Sequence, residues 1–281
     1  MKDLRTIRIF LAVLFFAASV TWLFIGRGVS PMAAAAAKVQ IIPSALAATA
    51  GATAVWLVAT FFFGRVYCST VCPVGTLQDS ATWARRKLGR TRRGRAMRNP
   101  FGKGRLFGAY RPQRPSRLRG LVLFAYIGCL VLGLLGVATL LEPWNLMRSA
   151  ARLTNPEASA RWLLFAGNAA LGGAVALVIL ALIWVWALFK GRAFCNSICP
   201  IGTCLSLVGA RAVWHIEIDP DRCTSCMRCQ DVCKAGCINV AAREVTDPEC
   251  VRCFDCLKVC ADDAIHFQAS RNRPASPIMT K

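Results

Sequence analysis

Residues 223–260 read CTSCMRCQDVCKAGCINVAAREVTDPECVRCFDCLKVC. Cys223, Cys226, Cys229 and Cys233 are spaced C-x2-C-x2-C-x3-C, and Cys250, Cys253, Cys256 and Cys260 repeat the spacing. Such short intervals let three thiolates of one loop wrap a face of an iron–sulfur cube, with the fourth arriving from elsewhere. A zinc module would use two C-x2-C pairs, not two full four-cysteine runs. Disulfide scaffolds are short and secreted, whereas this chain has 281 residues and 15 cysteines, so metal ligation is the better expectation. Cys237, an extra cysteine inside the segment, is expected to be a packed thiol rather than a ligand.

Upstream the chain changes character. Hydrophobic residues make up 56% of it and the mean hydropathy is +0.46, a balance that soluble domains of this length rarely reach. The formal charge of +21 is compatible with this if the charge sits in loops. Four uncharged stretches stand out, Ile9–Ile25, Val39–Phe63, Leu121–Leu141 and Trp162–Phe189. Crossing the hydrocarbon core takes about 20 apolar residues, so four transmembrane helices are expected. The first has a rival reading as a signal peptide, with Lys2, Arg5 and Arg8 as its basic region and the Ala33–Ala37 run as its cleavage region. Its apolar core of about 17 residues is longer than usual for a signal, which favours an uncleaved helix.

Lys and Arg placement sets the orientation. Three precede the first stretch, and about fifteen lie between Gly64 and Gly120, including Arg85, Arg86, Lys87, Arg90, Arg92, Arg93 and Arg95. The short connections carry few: Arg27 and Lys38 in one, Arg148, Arg152 and Arg161 in the other. The basic loop, both termini and the cysteine-rich C-terminal segment are therefore expected in the cytoplasm. Such a loop suits anionic lipid head groups. It lacks the interleaved aromatics of a nucleic-acid surface, and nucleic acid is not an expected partner.

A repeated motif follows the second and fourth stretches. Gly64-Arg65-Val66-Tyr67-Cys68-Ser69-Thr70-Val71-Cys72-Pro73-Val74-Gly75-Thr76 is matched by Gly191-Arg192-Ala193-Phe194-Cys195-Asn196-Ser197-Ile198-Cys199-Pro200-Ile201-Gly202-Thr203. The residue before proline is pushed out of helical geometry, and proline suits the first position of a new helix. Each motif should be a turn at the membrane surface, with two thiols beside a helix N-terminus whose partial charge favours thiolates or an anionic cluster. Cys68, Cys72, Cys195 and Cys199 could then share one iron–sulfur site across a pseudo-twofold. Alternatively, the two cysteines of a motif serve different clusters, or the motifs are structural turns with inert or redox-active thiols. Cys204 lies near enough to substitute as a ligand, and Cys129 reads as a packing residue.

The C-terminal segment resembles the bacterial two-cluster ferredoxins, in which the last cysteine of each run serves the other cluster. The resemblance implies Cys223, Cys226, Cys229 and Cys260 around one [4Fe–4S] cluster and Cys250, Cys253, Cys256 and Cys233 around a second. Lys234 and Ala261 stand where that family usually has proline, at some cost in rigidity. Taken whole, the chain resembles the NapH and NosR group, membrane polyferredoxins of quinol-linked respiration. The wording of the two motifs is nearest NosR. In length the chain matches NapH, without NosR's flavin-binding region or the extra C-terminal domain of cupric-reductase-type relatives. The resemblance implies an electron-transfer subunit in a bacterial inner membrane. It would link the quinone pool to a redox partner (cytochrome c, a flavin-binding protein or a ferredoxin) that serves a periplasmic reductase of anaerobic respiration. Whether such a chain is itself a quinol dehydrogenase component is left open. A metal-ion reductase and a redox assembly factor for an oxidase are the alternatives.

The expected fold is therefore an integral membrane α-helical part, four transmembrane helices in two pseudo-repeats, with a C-terminal α+β two-[4Fe–4S] ferredoxin domain. The expected divisions are helices one and two (1–65), first motif and basic loop (66–119), helices three and four (120–190), second motif (191–215), ferredoxin domain (216–268) and flexible tail (269–281). No catalytic residue and no quinone site can be named from sequence. The polar candidates near the membrane are Glu142 at the outer end of the third helix, Gln78 and Asp79 after the first motif, and His215 and Glu217 before the ferredoxin runs. Trp56, Trp83, Trp144, Trp162, Trp184 and Trp186 read as interfacial anchors.

Overall fold

A computed structural model describes residues 3–25, 50–91, 118–134, 141–154 and 169–269. The helical part begins with α1 (Asp3–Ile25), α2 (Ala50–Phe63), the single turn α3 (Tyr67–Thr70) and α4 (Pro73–Arg90). It continues with α5 (Leu118–Val131), α6 (Pro143–Ala151), α7 (Ala169–Lys190), the short α8 (Ala193–Ser197) and α9 (Pro200–Gly209). Two of these are long and apolar enough to cross a membrane by length and composition, Asp3–Ile25 and Ala170–Lys190. α2 and α5 are apolar but shorter. Large apolar side chains face outward on all four, among them Phe10, Val58, Phe124 and Leu182. The expected second span is described only from Ala50 and the fourth only from Ala169. The Ala33–Ala37 run, residues 92–117 of the basic loop and Trp162 lie outside the described residues.

The third stretch departs from its expectation. Leu121–Leu141 is not one helix: α5 stops at Val131, and Gly133 takes φ +74°. The N–H of Leu134 bonds back to Cys129 O and that of Gly133 to Leu130 O, the wrapped C-cap that glycine permits. Pro143 then forces Glu142 into an extended conformation (φ −94°, ψ 122°) and starts α6. α6 packs antiparallel on α7. Leu141 lines one groove with Ile183 and Trp186, while Gly173 faces Ser149 and Leu153. Its far end, Thr154, donates to Phe24 O at the end of α1. Glu142 is thus not at the outer end of a span but buried, next to Leu141, which lines a groove with Phe194 and Ile198 of the second motif.

The basic segment also departs from a plain loop. Its first part is α4, whose Val74, Gln78, Ala81, Thr82 and Arg85 recur at helical spacing on the buried face. α4 packs on α7, and α9 packs on α2, so the helix after each motif lies against the apolar helix of the other half. Arg85 donates to Leu188 O and Phe189 O, satisfying the last carbonyls of α7 where a cation also suits the dipole.

The C-terminal unit is small. β1 (Trp214–Ile218) pairs antiparallel with β4 (Ile265–Ala269), from Trp214 opposite Ala269 to Ile218 opposite Ile265. β2 (Ile238–Asn239) pairs with β3 (Glu244–Val245). Between the strands lie α10 (Arg228–Val232) and α11 (Asp255–Val259), which pack together. Ile216, Ile238, Val245, Leu257 and Ile265 close the core around the cysteines.

Candidate iron–sulfur site

The two motif turns are built alike. Gly64 (φ +74°) and Gly191 (φ +63°) end α2 and α7 in left-handed geometry, bonding back to Thr60 O and Ala187 O. Cys72 and Cys199 adopt φ −66°, ψ 118° and φ −64°, ψ 118° as N-caps of α4 and α9, with Pro73 and Pro200 behind them. Gly75 and Gly202 are required by contact: a Cβ on either would come within 2.3 Å of the carbonyl oxygen of Cys68 or Cys195. The turn folds its first cysteine's carbonyl over the second helix, and only glycine leaves room for it.

Two arginines lock the turns together. Arg65 of the first motif donates to Cys195 O of the second at 3.0 Å. Arg192 of the second donates to Cys68 O of the first at 2.6 Å. Both side chains are fully buried. Arg65 also reaches Asn196 Oδ1 at 2.7 Å and lies 3.9 Å from Cys68 Sγ. The exchange brings Cys68, Cys72, Cys195 and Cys199 into one buried region, each 3–4% exposed. Gln78 donates to Cys195 Sγ at 3.2 Å and the Gly202 N–H to Cys199 Sγ at 3.3 Å. Burial pushes the Cys72 and Cys199 thiols up, and the negative charge of Cys195 and of the facing turn adds to it. Burial raises Cys68 as well, against the opposing pull of Arg65. Buried thiols this close ionise together only against a compensating positive charge, which is what a metal centre supplies. Cys204 is exposed on α9 and Cys129 half-buried on α5.

In the C-terminal unit the first three cysteines of each run sit on matching loops. Ser225 (φ 56°) and Met227 (φ 63°) in the first, and Arg252 (φ 52°) and Phe254 (φ 59°) in the second, are all left-handed. Side chains other than glycine rarely hold that geometry, and here it curls each loop about a cavity. One cavity is lined by Cys223, Cys226, Cys229 and Cys260. The other is lined by Cys233, Cys237, Cys250, Cys253 and Cys256. The last cysteine of each run thus faces the other run's loop. Cys237 Sγ lies 3.5 Å from Cys233 Sγ. Its hydrogen bond, against burial, holds the Cys250 thiol down at about 6. Among the described residues no group of three or more His, Cys, Asp or Glu side chains closes to the spacing of one metal ion. A lone tetrahedral zinc holds its sulfurs at about 2.3 Å, whereas a cube of four irons spreads its ligands more widely. The donor set, all thiol with four or more to a group, fits iron–sulfur clusters.

The C-terminal unit docks on the motif turns through buried ion pairs. Asp79 on α4 receives Arg192 at 2.7 Å, Arg8 of α1 at 2.8 Å and Lys234 at 2.8 Å. Lys234 follows Cys233 directly, and its carbonyl accepts the Arg192 N–H at 2.8 Å. Asp255, between Cys253 and Cys256, receives Arg5 at 2.7 Å and Arg86 at 3.1 Å. Arg119 meets Glu249 at 2.6 Å, and Arg65 donates to Pro248 O. Arg252 covers Gly64 and donates to Phe63 O. Of the polar sequence candidates, Gln78 bonds a motif thiol and Asp79 is the docking hub. His215 and Glu217 pair with each other at 2.7 Å on β1. Sequence reasoning missed the arginine exchange, although the Gly-Arg opening of both motifs was its signal. It also missed Lys234, whose only signal was the absent proline.

A sequence profile for a 4Fe–4S binding domain matches residues 45–91 and 172–217, one copy over each motif. A second 4Fe–4S binding domain profile matches residues 214–235. The methylamine utilization ferredoxin-type protein MauN of Paracoccus denitrificans is 29% identical over 68% of this chain and 56% of its own length. The ferredoxin-type protein NapH of Haemophilus influenzae is 29% identical over 65% of this chain and 52% of its own length. For NapH of Escherichia coli the identity is 24%, over 79% and 68%. The chain thus spans about half the length of the first two of these relatives. No solved structure matches it. On these grounds the chain is a homologue of the MauN and NapH ferredoxin-type proteins, carries 4Fe–4S binding domains, and fits a NapH-type polyferredoxin.

Proposed function

We propose that this chain is a membrane-embedded electron-transfer subunit that carries electrons between the quinone pool and a redox partner protein. Its C-terminal unit holds two [4Fe–4S] clusters, one on Cys223, Cys226, Cys229 and Cys260 and one on Cys250, Cys253, Cys256 and Cys233. Cys68, Cys72, Cys195 and Cys199 hold a further iron–sulfur centre at the cytoplasmic membrane edge, with both termini on the same side. The observation that carries the reading is the continuous docking of the two cysteine turns on each other and on the C-terminal unit, through Arg65, Arg192, Asp79 and Lys234.

Bound clusters supply one-electron transfer over a wide range of potentials. The protein's own part is positional. Arg65 and Arg192 fix the carbonyls beside the motif thiols and place positive charge by them. Gln78 and the Gly202 amide donate to sulfur, which stabilises the more negative state of whatever those sulfurs hold. Lys234 ties one cysteine run to the motif turns. Outward apolar faces on α1, α2, α5 and α7, with arginines turned inward, support a multi-pass membrane part.

Iron and acid-labile sulfide per chain, measured on anaerobically purified protein with EPR of the reduced sample, tests the reading. A content above the roughly eight irons of two [4Fe–4S] clusters is expected, and C68A with C195A should bring it back to that level. If the wild type already holds only that many, the motif centre is not there and the turns are structural.

A further inference from the structure

A groove of about 460 Å³ opens between Leu141, α7 and the second motif, within the size range of small-molecule sites. Leu141, Ile179, Ile183, Trp186, Phe194 and Ile198 form its walls, all apolar. Leu182, at the same groove, is 63% exposed, so the groove is open to the surroundings of α7, which the proposed function identifies as lipid. Phe194 and Ile198 directly precede Cys195 and Cys199 on the motif turn.

Glu142 follows Leu141 and is 1% exposed. Its Oε2 accepts the N–H of Asn145 at 3.1 Å, the N-cap bond of α6. Its Oε1 is buried with no hydrogen-bond partner. Tyr126 of α5 stands within electrostatic range of Glu142, Cys199 and Cys204, and Arg148 within range of Glu142. A buried carboxyl oxygen left without a partner is unfavourable, and an ionisable group at membrane depth is a functional candidate by default. The N-cap bond explains one oxygen and leaves the other to a ligand.

We propose that this groove binds the ring of a membrane-soluble hydroquinone, with one ring hydroxyl donating to Glu142 Oε1. An acyl chain would fill the walls but offers no donor to the carboxyl, and a lipid phosphate would lose its hydration against walls that are all apolar. A flat apolar ring with hydroxyls at its ends satisfies both demands, and Trp186 and Phe194 give it aromatic faces to lie against. The site deepens the electron-carrier reading and rests on it.

The test uses the full-length, cluster-loaded protein in phospholipid nanodiscs and a short-tailed photoreactive azidoquinone, with labelled peptides mapped by mass spectrometry. Labelling is expected within residues 179–198. Ile183→Trp, which fills the groove, should lower it at least about tenfold, and Glu142→Leu should weaken quinol competition by up to about tenfold, the loss of one hydrogen bond. Labelling that maps elsewhere, or that survives Ile183→Trp, overturns the site, as does a phospholipid retained in the groove against excess quinone. Iron content and the EPR signal are read on the same samples. If they are intact while labelling misses the groove, only the site falls; if the wild type holds no iron, the carrier reading itself falls.

Discussion

Arg65 and Arg192 are each other's counterparts, and each spends its guanidinium on the opposite motif's cysteine carbonyl. Lysine cannot replace them, because a single ammonium lacks the planar fork that spans a carbonyl and a second acceptor. R192Q removes one positive charge from beside Cys68 and Cys195. The motif centre's reduction potential should fall by on the order of 60 mV, a tenfold change for a one-electron couple, read by EPR-monitored redox titration. An unchanged potential would mean that the arginines are structural alone. Gly75 and Gly202 make a stricter case. Alanine at either puts a Cβ at 2.3 Å from backbone oxygen, and backbone cannot yield as a side-chain tip can. Either variant should lose several kcal/mol of stability and the motif iron with it, by melting curve and metal analysis. Cys237 lines the same cavity as two proposed ligands that it contacts, but it lies outside both C-x2-C-x2-C-x3-C runs. C237A should therefore keep the iron of the C-terminal unit, whereas C233A and C250A should lose a cluster's worth.

Among the elements, α4 and α6 depart most from a hydropathy reading. α4 is too basic to resemble a core helix, yet Val74, Gln78, Ala81 and Thr82 are almost wholly buried. Its charges are used inward: Arg85 on the end of α7, Arg86 on Asp255. R85A should loosen the last turn of α7, removing the bonds Arg85 makes to Leu188 O and Phe189 O at a cost of about 1–3 kcal/mol. Faster hydrogen exchange at Trp186–Lys190 would show it. α6 sits in what hydropathy reads as the end of a span and its connection. Gly133 and Pro143 are visible in the sequence, but an apolar window averages over both. Chain reversal at membrane depth is tolerated where neighbouring protein satisfies the backbone, and only packing on α7 tells whether it does.

At the scale of the whole molecule, Asp79 joins three parts that are distant in sequence: α1 through Arg8, the second motif through Arg192 and the C-terminal unit through Lys234. Removing one partner of a buried pair leaves the others uncompensated, about 3–5 kcal/mol. D79N should undock the C-terminal unit, seen as new proteolysis between Ala210 and Trp214. The sign of the pH dependence follows from the carboxyl. Burial alone would raise its pKa, but Arg192, Lys234 and Arg8 outweigh burial and hold it below the usual carboxylate range. A group depressed in the folded state stabilises above its unfolded value, about 3.9 for Asp, and loses that contribution as pH falls toward the folded value. Asp255, held down by Lys234, Arg86 and Arg5 against burial, acts in the same direction. Docking should persist from neutrality to about pH 4 and weaken below it, by protease accessibility across a pH series. D79N should abolish most of that dependence.

The sequence by itself determined the chemistry. Two four-cysteine runs and two copies of a C-x3-C-P turn are local patterns, and their spacing alone fixes which thiols can share a loop. It also determined the apolar stretches and the proline-started helices, because hydropathy and dihedral restriction act within a few residues. Tertiary structure decided what faces what. The crossing of Cys233 and Cys260 between the two cavities, the exchange of Arg65 and Arg192, the three cations on Asp79 and the return of Leu141 to the second motif all join residues far apart in the chain. Such contacts form only once apolar burial has brought the two halves together, and nothing in the neighbourhood of either residue encodes its partner.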